Sequence, residues 1–240
     1  MNDAIRTFAG ALAAVEAELD WELLGRTYCD GDGSDFFDGE LRERIHDTAL
    51  HFVDDIAGAL DGARGRSLYV GAALAEMPLI LAEHLVLGRA VEWLNIDGPE
   101  IGELARALAI ASAQLGLPLP TPRVHQLANV EPASCDHLWL VSVLTDPDGF
   151  PALHDELYER TGGPLATGRG TLADDRQRAC ILVDHLLDRA ADECLLTTTE
   201  EELDIVEARL AQRGWSVDLA PDGRLSAIVG DCVRLGKLRR

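Results

Sequence analysis

Basic side chains are scarce in this chain. Against 42 carboxylates in 240 residues stand 21 lysines and arginines, a formal charge of −21, and Lys237 is the only lysine. Such a balance argues against nucleic-acid partners, whose affinity rests on cations neutralising phosphates. It also argues against docking on anionic membrane surfaces. No stretch approaches 18 uncharged apolar residues, so no membrane span is expected. The opening MNDAIRTFAGALAAVEAELDW has no basic n-region and carries acids throughout, unlike a signal peptide. Paired cysteines are missing as well. The five present (Cys29, Cys135, Cys180, Cys194, Cys232) are odd in number and scattered, with no C-x-x-C, and read as reduced thiols in a cytoplasmic protein. Neither a G-x-S-x-G elbow nor a phosphate-binding P-loop occurs, and there is no Cys/His nucleophile signature. No histidine pair has i, i+4 spacing with an acid on the same face; His46 and His51 are five apart, and no metal site is expected.

What is present is an apolar fraction of 47%, ordinary for a chain able to bury a core without staples. Residues 3–24 place Ile5, Phe8, Leu12, Val15, Leu19 and Leu23 at helical spacing. A Gly/Asp-rich loop follows, then a second helix over about 40–60. Residues 1–64 are therefore expected to form a helical N-terminal cap, and 65–240 an α/β domain.

From Ser67 strands alternate with helices. SLYVGAA reads as a buried strand closing on glycine, and EMPLILAEHLVLG as a helix with Pro78 in its first turn. AVEWLNID is a second strand. The helix after it starts at Pro99, stops at Gly116, and has a core stripe of Ile101, Leu104, Ala105, Leu108 and Leu115. RVHQL, DHLWLVSVL and ECLLTT are further strands, and FPALHDELYERTG and DDRQRACILVDHLLDRAA further helices. Asp148 suits the N-cap of the helix over 150–160, and Thr199 with Glu202 forms a T-x-x-E capping box opening the helix 200–213. WSVDLA, APDG and RLSAIVGD give a closing β-hairpin. The fold class is α/β, a Rossmann-like parallel sheet with a C-terminal antiparallel hairpin.

In open α/β sheets ligands bind beyond the carboxyl ends of the strands. The first strand ends in Tyr69-Val70-Gly71-Ala72-Ala73-Leu74-Ala75, and the second in Asn95-Ile96-Asp97. Asp97 lies 26 residues beyond Gly71, where a carboxylate can accept hydrogen bonds from both hydroxyls of a ribose. Over residues 67–235 this layout resembles the class I S-adenosylmethionine-dependent methyltransferases. The likeness rests on the strand, small-residue loop and helix at 67–87, on VEWLNIDGPEIGELARALA, and on the closing strand, helix and hairpin at 193–230. It implies S-adenosylmethionine as cofactor, held by Tyr69, Gly71, Ala73, Asp97, Asn129 and Ser142. The family's usual acid-x-Gly-x-Gly-x-Gly loop is here Tyr69, Gly71, Ala73 and Ala75. The SVLTDPD segment stands where the family often faces the methyl acceptor, which makes Asp146 a catalytic candidate, with Tyr28 from the cap as another.

The acidic segment at 30–40 imitates a calcium loop, with Asp30, Asp32, Ser34 and Asp38 at positions 1, 3, 5 and 9 of twelve. Position 6 is Asp35 instead of glycine and position 12 is Leu41 instead of glutamate, so it reads as a solvated loop or lid, with Phe36 and Phe37 as core anchors. Most remaining acids, Glu100, Glu103, Glu200 and Glu201 among them, are expected to cap helices or line solvated faces. The expected activity is methyl transfer to a small-molecule acceptor, with a cationic one favoured by the acidic surface. A homodimer is compatible with the sequence. Two alternatives stay open: a non-catalytic binding or assembly module of the same fold, and an aminocarboxypropyl transferase using the same cofactor, suggested by GAALAEMPLILAEHL.

Overall fold

The N-terminal apolar stripe does not run as one helix. Helix α1 (Asn2–Glu18) buries Phe8, Leu12, Val15 and the following Leu19 but leaves Ile5 exposed. At Asp20 the chain restarts: the Asp20 carboxylate accepts the amide of Leu23 at 2.9 Å and caps α2 (Trp21–Tyr28). Arg26, Thr27 and Tyr28, expected in a loop, are thus helical. Asp38 caps α3 (Gly39–Ala59) in the same way, through the Leu41 amide at 2.8 Å. This computed structural model describes residues 2–29, 33, 35–60, 64–129, 133–164 and 166–240. Asp30, Asp32 and Ser34 of the calcium-like segment lie outside the described residues. Among the described residues no cluster of three metal-ligating side chains occurs, and no helix is long and apolar enough to cross a membrane.

The chain divides into two compact units, Met1–Gln126 with Ala227–Val229, and Leu127–Ser226 with Gly230–Arg240. In the first, β1 (Arg66–Val70) pairs parallel with β2 (Ala90–Asn95), and β2 with the short β3 (Arg123–Val124), giving the order β3-β2-β1. Ser67 to Val70 are all buried, as expected of a strand covered on both faces. Helices α4 (Met77–Leu85) and α5 (Pro99–Leu115) complete the two crossovers. Pro99 opens α5, and Gly116, at φ 60°, ends it in the left-handed conformation. The buried face of α5 is Ile101, Glu103, Leu104, Ala107, Leu108 and Ala111. Leu115, expected in the core, is 44% exposed. Glu103 is buried because its carboxylate takes the Asp20 amide at 2.6 Å and the guanidinium of Arg106, tying α5 to the restart of α2. That pairing holds the Glu103 carboxyl below its ordinary pKa.

In the second unit β4 (Cys135–Leu140) runs parallel to β5 (Ala190–Thr199). Helices α6 (Pro151–Leu157) and α7 (Leu172–Leu187) lie between them in sequence, and α8 (Leu203–Gln212) follows. Asp148 does not cap α6: its carboxylate meets Arg169 at the surface. The orphan amides of Ala152 and Leu153 are taken by Asp175 from α7, at 2.8 and 3.2 Å. The antiparallel close also differs from the expected hairpin. After β6 (Ser216–Leu219), only Arg224–Leu225 (β7) is extended in the RLSAIVGD segment. The partner of β6 is β8 (Cys232–Arg239), which also pairs with β5 and β7. The order is β4-β5-β8-β6, with β7 against β8. Val233, Leu235 and Leu238 bury β8, a strand the sequence reading did not include.

Candidate functional site

Beyond β1 the chain turns at Gly71, whose φ of 75° disfavours a side chain. The Gly71 amide donates to Leu94 O at 2.9 Å. The next carbonyl, Ala72 O, accepts from both Trp93 Nε1 and Asn95 Nδ2 at 2.7 Å, so β2 holds the loop in place. Ala73 is extended, at φ −135°, and Ala75 lies within the 3-10 turn Leu74–Glu76. Neither alanine occupies a left-handed position. The loop keeps its glycine where the backbone requires one.

Two carboxylates flank this loop. Glu76 accepts the Ala73 amide at 2.9 Å, and Glu100, from the first turn of α5, accepts the Leu74 amide at 2.9 Å. The same Glu100 oxygen takes the Tyr28 hydroxyl at 2.7 Å, so Glu100 does not line a solvated face as expected. Burial pushes the Glu76 carboxyl up to about 7, against the Ala73 hydrogen bond and with help from the Glu100 charge. Burial, then Glu100, raises the Tyr28 phenol well above its usual value. The Tyr28 ring stacks on Phe36 (5.7 Å) and meets Phe37 edge-on (5.1 Å). Phe37 is the buried anchor expected of it. Asp97 is exposed just past β2, and its carboxylate takes no partner among the described residues. Tyr69 points elsewhere: it is fully buried, and its hydroxyl donates to Glu83 Oε1 of α4 at 2.8 Å. Ser67 and Arg89 bond the same carboxylate.

The second unit has its own polar cluster beyond β4. Ser142 adopts φ 56°, a conformation rare outside glycine, and donates to Asp231 Oδ2 at 2.8 Å. Tyr158 donates to both oxygens of Asp231 at 3.1 Å. Burial, with the Asp231 charge, pushes the Tyr158 phenol up to about 12. Below this, Glu202 accepts the amides of Val143 and Leu144 at 2.7 Å, with Thr198 Oγ1 at 3.0 Å and the Thr199 amide at 3.2 Å. It stands at the end of a 3-10 turn, Glu200–Glu202, that precedes α8. Asp146 spends its Oδ1 on the amides of Asp148 and Gly149 in its own turn; burial raises its pKa against those two bonds. Asn129 is exposed at the end of the 3-10 turn Leu127–Asn129.

Of the site residues expected from sequence, the first unit thus brings Tyr28 to the loop of Gly71 and Ala73 through Glu100, while Tyr69 joins the core. In the second, Ser142 joins Asp231, and Asp146 bonds only its own turn among the described residues. Sequence reasoning missed Glu76, Tyr158, Asp231 and the inward role of Glu100. One signal was available: Ala73-x-x-Glu76 repeats the spacing of Thr199-x-x-Glu202.

No protein-family profile matches the chain, and no curated protein is significantly similar in sequence. Among solved structures, magnesium protoporphyrin IX methyltransferase from Synechocystis PCC 6803 with bound SAM is similar at a TM-score of 0.54. It is 18% identical, over 92% of this chain and 98% of that one. The same enzyme with bound SAH gives 0.52, at 14% identity over 96% and 100%. The likeness is one of fold. The chain has the class I S-adenosylmethionine-dependent methyltransferase fold, with its parallel sheet and antiparallel close.

Proposed function

We propose that the chain binds S-adenosylmethionine and transfers its methyl group to a small-molecule acceptor. The observation that carries this reading is the pairing of a left-handed Gly71, braced through Ala72 O, with the exposed and unpartnered carboxylate of Asp97. A carboxylate there accepts from a ribose diol, and the Gly71–Leu74 backbone gives close access without a blocking side chain at its one left-handed position. Glu76 and Glu100 supply the negative charge for the ammonium of the methionine moiety, a charge that Tyr69 does not offer. When bound, the cofactor supplies an activated sulfonium methyl, so side chains need chiefly to align the acceptor. Tyr28 fixes Glu100 and, through it, the loop. The structural neighbour with bound SAM is by its name a small-molecule methyltransferase, which supports a small acceptor here. The excess of carboxylates favours an uncharged or cationic acceptor over an anionic one.

Calorimetry with S-adenosylmethionine and S-adenosylhomocysteine tests the reading. Binding of both is expected, weakened about tenfold by Asp97→Ala, or about 1.4 kcal/mol. Absence of binding for both ligands would leave a non-catalytic module of this fold. Release of methylthioadenosine instead of S-adenosylhomocysteine on turnover would mark aminocarboxypropyl transfer.

A further inference from the structure

We propose that the cap helices govern cofactor affinity: occupancy of the loop after β1 and the packing of an aromatic cluster between α2 and α3 are coupled. Tyr28 and Phe36 are the positioning residues of this coupling. The inference rests on the S-adenosylmethionine reading and adds a control on that same site. All the residues involved belong to the first unit. The joint between cap and loop is one carboxylate oxygen. Tyr28, the last residue of α2, donates to Glu100 Oε1 at 2.7 Å, and the same oxygen accepts the Leu74 amide at 2.9 Å. Burial raises the Tyr28 phenol, so it keeps its proton and stays the donor.

On the cap side the Tyr28 ring is held from behind. Phe36 stacks on it at 5.7 Å with the planes 15° apart, and Phe37 meets both rings edge-on, at 5.1 and 4.9 Å. Phe37 is tied in turn to the start of α2. Its ring lies 5.8 Å from that of Trp21, and its carbonyl accepts Arg42 Nε at 2.7 Å while the Arg42 guanidinium sits 4.0 Å over Trp21. A contact between two glycines brings Phe36 back over α2. Gly25 in α2 and Gly33 lie so close that a Cβ on either would collide with the carbonyl of the other, and Gly33 O accepts the Phe36 amide at 3.0 Å. At eight residues α2 is too short to hold its place by helical hydrogen bonding alone. Its last turn stays where Glu100 and the two phenylalanines hold it. The direction of the coupling follows from charge. The negative charge of Glu100 works against that of Glu76 across the loop. The ammonium of a methionine moiety offsets that repulsion and keeps both carboxylates ionised, and a hydrogen bond to an ionised carboxylate is the stronger kind. Ligand therefore tightens Tyr28 on Glu100. Linkage makes the effect reciprocal: packing that steadies Tyr28 from the cap side raises affinity for the ligand.

The test is fluorine NMR on the full chain carrying 5-fluorotryptophan, with the Trp21 line assigned by its loss in Trp21→Phe and ligand saturation checked by calorimetry. S-adenosylhomocysteine at saturation is expected to shift the Trp21 line, and in Tyr28→Phe, saturated likewise, that shift should be lost. A merely structural tyrosine would move the line of the free protein and leave the ligand-induced shift in place. Phe36→Leu touches neither Glu100 nor the loop, so the reciprocal effect can be read from it alone. It should weaken S-adenosylhomocysteine about threefold. The proposal is overturned if the Trp21 line stays in place in the saturated parent, if Tyr28→Phe keeps the parent's shift, or if Phe36→Leu binds as tightly as the parent. Failure of S-adenosylhomocysteine to bind the parent would instead bring down the cofactor reading, and this inference with it.

Discussion

Two junctions in this molecule are built alike and used differently. After β1, a 3-10 turn ending in Glu76 leads into α4; after β5, a 3-10 turn ending in Glu202 leads into α8. In each, the glutamate reaches back to the amide three residues earlier, Ala73 or Thr199. Glu202 then gathers three more donors and is fully buried, so its carboxylate is saturated by the protein and clamps the loop beyond β4 to the end of β5. Among the described residues Glu76 has only backbone donors, is part-buried, and faces a second carboxylate instead of a cation. A saturated buried acid holds a fold together, while an undersupplied one is suited to receive charge from outside.

The contrast can be broken from the structural side first. Glu202→Ala strands two amides of the Val143–Leu144 segment and the Thr199 amide in a buried site, where each unsatisfied group costs about 1–3 kcal/mol. The expected loss is about 3 kcal/mol or more, read as a large fall in the urea midpoint. Stability close to the parent would mean that the clamp is dispensable. Glu76→Gln should change stability far less at neutral pH and act on ligand binding instead. With its pKa raised to about 7, Glu76 holds a proton in acid and gains its charge as pH rises. Affinity for the ammonium of S-adenosylhomocysteine should therefore climb between pH 6 and pH 8, by up to about tenfold, and Glu76→Gln should flatten the curve. The stability term has the opposite sign. A carboxyl raised on folding favours the folded state below its ordinary pKa, and that contribution fades as pH rises through about 7. The smallest effect expected is that of Tyr28→Phe, which removes one hydrogen bond to Glu100 and should weaken S-adenosylhomocysteine by about three- to fivefold, near 1 kcal/mol. Surface plasmon resonance would show it as faster dissociation.

Local patterns carried the fold far. Pro99 and Gly116 bracket α5, the Thr199–Glu202 spacing marks the turn into α8, and the apolar run at 67–70 is a buried strand, because each rests on interactions within a few residues. The misses are long-range. Asp20 breaks the first helix with support from Glu103, 83 residues away. Tyr28 finds Glu100 across 72 residues and Ser142 finds Asp231 across 89, and no spacing rule reaches so far. The apparent loss of glycines at Ala73 and Ala75 was a matter of backbone angles, which sequence does not display. Asp97 stood out in sequence because a free acid at a strand end needs no distant partner.

Gly236 is aligned with Leu196 of β5 on one side and Leu219 of β6 on the other. A Cβ there would lie 2.6 Å from Val217 Cγ2 and 3.0 Å from Leu219 Cδ2. The strand that carries it lies between two strands synthesised earlier, so β6 has no sheet neighbour until residues 232–239 have left the ribosome. The second unit is therefore expected to complete its sheet only once that segment is free to pair, with β8 the last strand to join it.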